Sequence, residues 1–287
     1  MDSIRVKSYA KINLSLDISG CSDGYHMIDS VVANIDLYDA IKVSKRKKDK
    51  LVNVFMRGMG SEDIPAESNN AAVAARMFVE KYGVCGADIF IDKNIPMGAG
   101  LGGSSADAAG VLNALSALHG TDDYDGIKAI ADATGSDTGY MLSGGYARIS
   151  GRGERVKLLD CRLRLDLLLL LPRSGVSTAD CYGMSDRLPA NAPSSGQVES
   201  ALLSGDRAAL GKALSNGLFG AASALNPEVA AAAQALKEFD PLGVNMTGSG
   251  SCVYALFEND SFASYAASRY RGPCRALQVK TYIPKRG

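Results

Sequence analysis

Residues Pro96-Met97-Gly98-Ala99-Gly100-Leu101-Gly102-Gly103-Ser104-Ser105-Ala106-Asp107-Ala108-Ala109 place four glycines within six positions, then two hydroxyls, then small residues that favour helix. A chain with this pattern makes an open turn and starts a helix directly after it. Glycines leave backbone N–H groups uncovered, and the first helical turn adds its own unpaired N–H groups and the positive end of its dipole. Together they seat a phosphate. A plainer reading is that small residues serve tight helix packing. That accounts for the alanines better than for four glycines ahead of a Ser-Ser helix start.

The 287 residues suffice for one large or two medium domains, and 46% hydrophobic with 22% charged residues is ordinary for a soluble globular chain. Lys+Arg and Asp+Glu both number 31. Non-specific nucleic-acid binding needs a basic face, so no nucleic-acid partner is expected. The one dense basic run, Lys45-Arg46-Lys47-Lys48, follows the strand-like Ala40–Ser44 and reads as a solvated hairpin end. The six cysteines are scattered without a C-x-x-C pair, and the only histidines are His26 and His119. No metal-ligand set and a reducing cytoplasm are therefore expected. Met1–Arg5 lacks a basic-then-apolar leader pattern, and the strongest apolar run, Leu167–Leu171, is far too short to span a bilayer. No membrane partner is expected.

Alternation of Ile12, Leu14, Leu16 and Ile18 with Asn13, Ser15 and Asp17 predicts a strand. Further strands are expected at Ser30–Asn34, Ala40–Ser44, Leu51–Met56 and Ala87–Ile91, and helices at Asn69–Tyr82, Ser104–Leu118 and Tyr124–Ala133. Thr134–Gly139 reads as a polar turn. Strands at Gly144–Ser150, Arg155–Leu159 and Leu163–Leu171 precede helices at Val198–Leu203, Arg207–Ser215 and Glu228–Phe239. Strands at Val244–Met246 and Cys252–Phe257 flank Thr247-Gly248-Ser249-Gly250, and a helix near Phe262–Arg271 and a strand near Ala276–Tyr282 close the chain. Mixed blocks rather than strict βαβ alternation predict an α+β fold in two lobes, divided at 158/159.

By count, Gly98, Gly100 and Gly103 satisfy a dinucleotide G-x-G-x-x-G, but that loop belongs at the first βα turn, and here several strands come first. No Walker-A or protein-kinase signature is present. The stretch instead resembles the phosphate-binding motif of the GHMP kinases, which include galactokinase and the homoserine, mevalonate and phosphomevalonate kinases. Two further motifs of that superfamily have counterparts in the same order: Ser8-Tyr9-Ala10-Lys11-Ile12-Asn13-Leu14 and Asn245-Met246-Thr247-Gly248-Ser249-Gly250-Ser251-Cys252. Asp23-Gly24-Tyr25-His26, Asp36-Leu37-Tyr38-Asp39, Gly135-Ser136-Asp137 and Gly175-Val176-Ser177-Thr178-Ala179 are similar to the branch whose acceptor alcohol is a methylerythritol carried on cytidine diphosphate.

The resemblance implies a ribosomal-protein-S5-like N-terminal lobe, an α/β-sandwich C-terminal lobe, ATP and Mg²⁺, and a monomer or weak homodimer. It also implies roles for individual residues. Asp137 is the base toward the acceptor hydroxyl, and Lys11 keeps it ionised and steadies the transferring phosphoryl group. By strand alternation Asn13 shares a face with Lys11, and it is expected to bond the substrate. Pro96, Gly98, Ala99, Gly100, Leu101, Gly102, Gly103, Ser104 and Ser105 wrap the ATP phosphates, Asn69 serves the adenine side, and Lys93 contacts the nucleotide just before the loop. Tyr25, His26, Thr178 and Tyr182 bind the acceptor, with Tyr25 and Tyr182 sandwiching the cytosine, and Gly248 supports the substrate and phosphate region. Asp107 has no assigned duty, since a carboxylate early in a helix is favoured in any case.

The chain departs from the family pattern in places. Asp137-Thr138-Gly139-Tyr140 stands where the family has Asp-Val-Pro-Phe, Ser104 replaces a third consecutive glycine, and Ala106 replaces a serine. Glycine for proline is expected to free the backbone beside the base. Two alternatives therefore stay open: a kinase of this superfamily with a different alcohol, and a catalytically weakened binding protein.

Overall fold

A computed structural model describes residues 2–22, 24–59 and 69–284. In chain order the elements are β1 (Ser3–Asn13), β2 (Ser15–Ser22), β3 (Tyr25–Lys45), β4 (Val52–Gly58), α1 (Asn70–Tyr82), β5 (Ala87–Lys93), α2 (Gly103–His119), α3 (Tyr124–Thr134), α4 (Thr138–Ser143), β6 (Tyr146–Gly151), β7 (Arg155–Leu158) and β8 (Asp166–Leu171). There follow α5 (Thr178–Ser185), α6 (Ser195–Ser204), α7 (Arg207–Ala213), β9 (Ser215–Asn216), α8 (Phe219–Leu225), α9 (Pro227–Lys237), β10 (Gly243–Met246), β11 (Val253–Phe257), α10 (Asp260–Arg269) and β12 (Arg275–Lys280). The mixed helix and sheet content is the α+β class expected.

Internal contacts group the chain into two compact units that interleave in sequence. The first holds Met1–Ala10, Leu37–Met97 and Gly102–Gly144; the second holds Lys11–Asp36, Gly98–Leu101 and Gly145–Gly287. The strands β1 and β3 are long enough, at 11 and 21 residues, to give residues to both units.

In the first unit, β5 pairs antiparallel with β3 (Ala40 opposite Asp92, Lys45 opposite Ala87) and parallel with β4. Ile41, Val43, Ile89 and Ile91 point inward onto Ala71, Ala74, Ala75 and Phe78 of α1 and Ala108, Val111, Leu112 and Leu115 of α2. Burying a Phe78 or a Leu115 contributes about 2–3 kcal/mol. The alanines and Gly110 allow close approach: an added Cβ on Gly110 would meet the Ser8 hydroxyl of β1 at 1.9 Å. The α1 helix starts at Asn69, whose Oδ1 accepts from the Ala71 N–H at 2.8 Å and the Ala72 N–H at 3.4 Å, and it stops at left-handed Gly83.

In the second unit, β2 and β3 form a hairpin, β3 pairs antiparallel with β6, and β6 with β7. A separate antiparallel sheet runs β10-β11-β8-β12. The central β8 is buried at every position, as its unbroken leucine run predicts. Leu168, Leu170, Val253 and Ala255 of that sheet pack on Ala221 and Ala222 of α8, on Val229, Ala232 and Leu236 of α9, and on Ala263 and Ala266 of α10.

Three departures from the sequence reading bear on the site. First, Ser30–Asn34 and Ala40–Ser44 are one strand, since the Asp-rich stretch between them stays extended and buries Asp39 completely. Second, the turn expected at Thr134–Gly139 gives way at Thr138 to α4, and Thr138, Gly139 and Tyr140 are buried. Glycine is a poor helix former, but an added Cβ on Gly139 would lie 2.2 Å from Asp132 Oδ1, so side-chain packing overrides propensity there. The backbone beside Asp137 is thus held in a helix. Third, α5 and α8 were not anticipated; both are only two turns long, and α5 contains Gly183.

Candidate active site

The glycine loop ends where α2 begins, with Gly98, Gly100 and Gly102 at φ of 64°, 74° and 71°. L side chains rarely adopt these angles. Left-handed Gly102 precedes the helix, and no side chain caps it. The N–H groups of the first turn are therefore presented by a 17-residue helix without a protein side-chain acceptor at its start. Ser104 is exposed there and Ser105 is buried. The loop's apolar residues do the opposite of its glycines: Ala99 and Leu101 are buried, their carbonyls accepting from the N–H groups of Cys252 (3.3 Å) and Lys11 (3.0 Å). Ala99 and Leu101 thus offer a ligand backbone only. Pro96 is half-buried.

In the second unit the early and late motifs meet at Asn13. Its Oδ1 accepts from the Lys11 ammonium at 2.7 Å and from the Gly248 N–H at 2.9 Å, and its Nδ2 donates to Ser30 Oγ at 2.8 Å. Strand alternation placed Lys11 and Asn13 on one face, and their hydrogen bond bears that out. With 1% exposure and its amide engaged at both ends, Asn13 orients Lys11 and the late turn. Lys11 is itself buried. The Thr247 hydroxyl accepts from the Asn13 N–H (3.2 Å) and donates to the Gly100 carbonyl (2.9 Å). Gly100 and Gly248 touch backbone to backbone: an added Cβ on Gly100 would lie 2.1 Å from the Thr247 carbonyl oxygen, and one on Gly248 would lie 3.0 Å from Gly100 Cα.

The aromatic residues Tyr25 and Tyr182 each have a protein partner in the second unit. His26 stacks on Tyr182, with centroids 4.7 Å apart, and its Nε2 lies 2.7 Å from Asp186 Oδ1. Tyr25 is half-exposed, with the Arg152 guanidinium 3.5 Å over its ring centroid. Thr178, at the start of α5, shares a 2.9 Å hydrogen bond with Ser249. Arg152 and Asp186 carry no signal in the sequence, and their partners are set by tertiary packing.

In the first unit, Asp137 is the half-buried residue preceding α4, and its side chain makes no capping bond to that helix. Its carbonyl accepts from Met141 N–H at 3.0 Å, the first helical bond. Beside it, Thr138 Oγ1 is buried without a hydrogen-bond partner. Both ends of the Asn69 amide are engaged, the oxygen in capping α1 and Nδ2 donating to Met56 Sδ at 3.0 Å. The Lys93 ammonium is buried against Asp39 and Asp107. Burial lowers its affinity for a proton, but the two carboxylates outweigh that and raise its pKa.

A left-handed glycine loop that runs into an uncapped helix start presents backbone N–H groups of the kind that suit an anion. The GHMP kinases N terminal domain profile matches residues 69–145, and the GHMP kinases C terminal profile matches residues 198–274. The chain belongs to the GHMP kinases, which are ATP-dependent phosphotransferases. It is 33% identical to a Bacillus cytotoxicus protein named 4-diphosphocytidyl-2-C-methyl-D-erythritol kinase, over 98% of this chain and 97% of that one. It is 34% identical to the protein of that name from Caldicellulosiruptor saccharolyticus, over 93% of this chain and 92% of the relative. A crystal structure of 4-(cytidine 5'-diphospho)-2C-methyl-D-erythritol kinase superposes with a TM-score of 0.80 at 30% identity, covering 97% of this chain and 99% of the other. Homoserine kinase from Cytophaga hutchinsonii, at 19% identity and a TM-score of 0.76, shares the fold.

Proposed function

We propose that this chain transfers the γ-phosphoryl group of ATP to the 2-hydroxyl of 4-diphosphocytidyl-2-C-methyl-D-erythritol, in the cytoplasm, on the non-mevalonate route to isoprenoid precursors. The observation that carries the donor half is the uncapped start of α2 behind three left-handed glycines. Full-length relatives of that name support the acceptor half. Among the described residues no helix is long and apolar enough to cross a membrane.

In this reading the backbone N–H groups of Gly98–Ser105 hold the phosphates of ATP. Mg²⁺ favours hard oxygen donors, and the hydroxyl of Ser104 or Ser105 would help hold it; bound with the nucleotide, it would neutralise phosphate charge. The acceptor oxygen attacks the γ-phosphorus as the bond to the β–γ bridging oxygen breaks. ADP leaves, and the hydroxyl proton passes to Asp137. Lys11 stabilises charge on the transferring group, and Asn13 and Gly248 hold Lys11 and the late turn in place. Tyr25 and the His26–Tyr182 stack offer aromatic faces to the cytosine, and Thr178 bonds the acceptor. Asn69 and Lys93 serve the nucleotide side by shaping it from within. The chain acts as a monomer or weak homodimer, which sedimentation equilibrium tests.

An ADP-release assay with the cytidyl alcohol, homoserine and mevalonate tests the reading. Turnover of the cytidyl alcohol, lost in Asp137→Ala, is expected. Turnover of another alcohol alone refutes the acceptor, and ATP binding without turnover of any of them refutes the kinase assignment for this acceptor set. The hold that α4 keeps on the residues after Asp137 weighs against a weakened base.

A further inference from the structure

The fold gives Lys93 and Asp107 to each other. Lys93 ends β5, just ahead of the turn into the glycine loop. Its ammonium donates to Asp39 Oδ2 and, at 2.6 Å, to Asp107 Oδ2 on α2. The other oxygen of Asp39 accepts from the N–H groups of Asn94 (2.5 Å) and Ile95 (2.9 Å), the residues that lead into the loop. Gly103, the first residue of α2, packs over the same ammonium: an added Cβ would stand 3.5 Å from Lys93 Nζ and 3.1 Å from Ile95 Cγ2. Asp39 is 0% exposed, and Lys93 and Asp107 are each 4% exposed.

We infer that Asp39, Lys93 and Asp107 are positioning residues for ATP, a buried ionic staple that ties the residues entering the phosphate loop to the helix leaving it. The inference rests on reading Gly98–Ser105 as the ATP-phosphate seat. The loop it spans, Pro96–Gly102, contains three left-handed glycines, and glycine loses more conformational freedom on ordering than any other residue. Fixing both ends of such a loop in advance reduces what nucleotide binding must order. Lys93 acts through the backbone it holds, since its ammonium is committed to two carboxylates away from solvent.

The cluster is not built for stability alone. Two carboxylates around one ammonium leave a surplus negative charge in a dry site, and Asp107 Oδ1 has no hydrogen-bond partner. Burial, opposed by Lys93 and reinforced by Asp39, pushes Asp107 up to about 7. An apolar trio of the same volume would avoid that cost.

Calorimetric titration with MgATP, in the absence of acceptor, tests the staple. Lys93→Met and Asp107→Leu should each weaken ATP binding at least tenfold, while KM for the acceptor stays within twofold. Were Lys93 a direct phosphate ligand, Asp107→Leu would release it and leave ATP affinity unchanged or tighter; that result overturns the inference. Because Lys93→Met alone strands two buried carboxylates and threatens folding, the triple variant Asp39→Asn/Lys93→Met/Asp107→Leu, which leaves no buried charge and keeps an oxygen to accept from the Asn94 and Ile95 N–H groups, is the control. It should melt close to the parent yet keep the tenfold loss. Parental ATP affinity in the folded triple variant, or an equal rise in both KM values, also overturns the staple. A parent that binds ATP but does not turn over the cytidyl alcohol refutes the proposed function and leaves this comparison intact.

Discussion

Gly98 and Gly100 lie two residues apart in one loop, and replacing each with alanine separates two physical effects. Both have positive φ, 64° and 74°, so each alanine meets the left-handed penalty of about 1–2 kcal/mol. A stiffer unfolded chain offsets about 0.4–1 kcal/mol of it. At Gly98 nothing lies within 4 Å of an added Cβ, so the net cost is about 1 kcal/mol. At Gly100 the Cβ would stand 2.1 Å from the Thr247 carbonyl oxygen and 3.1 Å from that of Gly250. Relieving an overlap with backbone adds about 1–3 kcal/mol. Moving Gly100 also endangers the 2.9 Å bond from the Thr247 hydroxyl to its carbonyl, about 1 kcal/mol more. Gly100→Ala should therefore cost about 3–5 kcal/mol and lower Tm by about 5–8 °C, against about 2 °C for Gly98→Ala. In a kinase assay Gly100→Ala should raise KM for ATP at least tenfold, and Gly98→Ala about threefold. Differential scanning fluorimetry and ADP-release kinetics read both. Equal Tm losses in the two variants would refute the claim that contact with the late glycine turn, rather than backbone angle alone, fixes this loop.

Asp137→Asn should lower kcat by about 10²–10⁴ with KM for ATP nearly unchanged; a kcat within threefold of the parent excludes Asp137 as the base. Tyr25→Ala should raise KM for the acceptor about tenfold with KM for ATP unchanged, because stacking on a base contributes about 1–3 kcal/mol; parallel changes in both constants would remove Tyr25 from the acceptor site. Asp107 is pushed by burial up to about 7, above its ordinary value, so the folded state holds this proton more tightly than the unfolded chain. Its contribution to stability is full below about pH 4 and is lost as pH rises through about 7. Melting curves from pH 5 to 8 should accordingly fall less steeply for Asp107→Asn than for the parent, and parallel curves would refute the raised pKa.

Much of the site was legible because its parts are local. Gly98 to Ser105 and the helix behind them are one sequence motif, and the Lys11–Asn13 pairing follows from alternation along a single strand. Residues whose meaning depends on distant partners were not. Lys93 serves Asp39, 54 residues away, and His26 covers Tyr182, a contact between residues 156 positions apart in sequence. The short helix α4 was hidden because Gly139 has poor propensity and is kept for the space that Asp132 fills.

By itself, the sequence determined the GHMP class, the order of its three motifs and the phosphate-seating loop, because glycine torsion and helix polarity act over a few residues. The tertiary structure alone decided which polar side chains are spent inside the protein. Burial makes an unpartnered polar group costly, so Asn13, Asn69, Lys93 and Asp107 are drawn to whatever partners the packed elements bring within reach, and those partners lie 2 to 235 residues away along the chain.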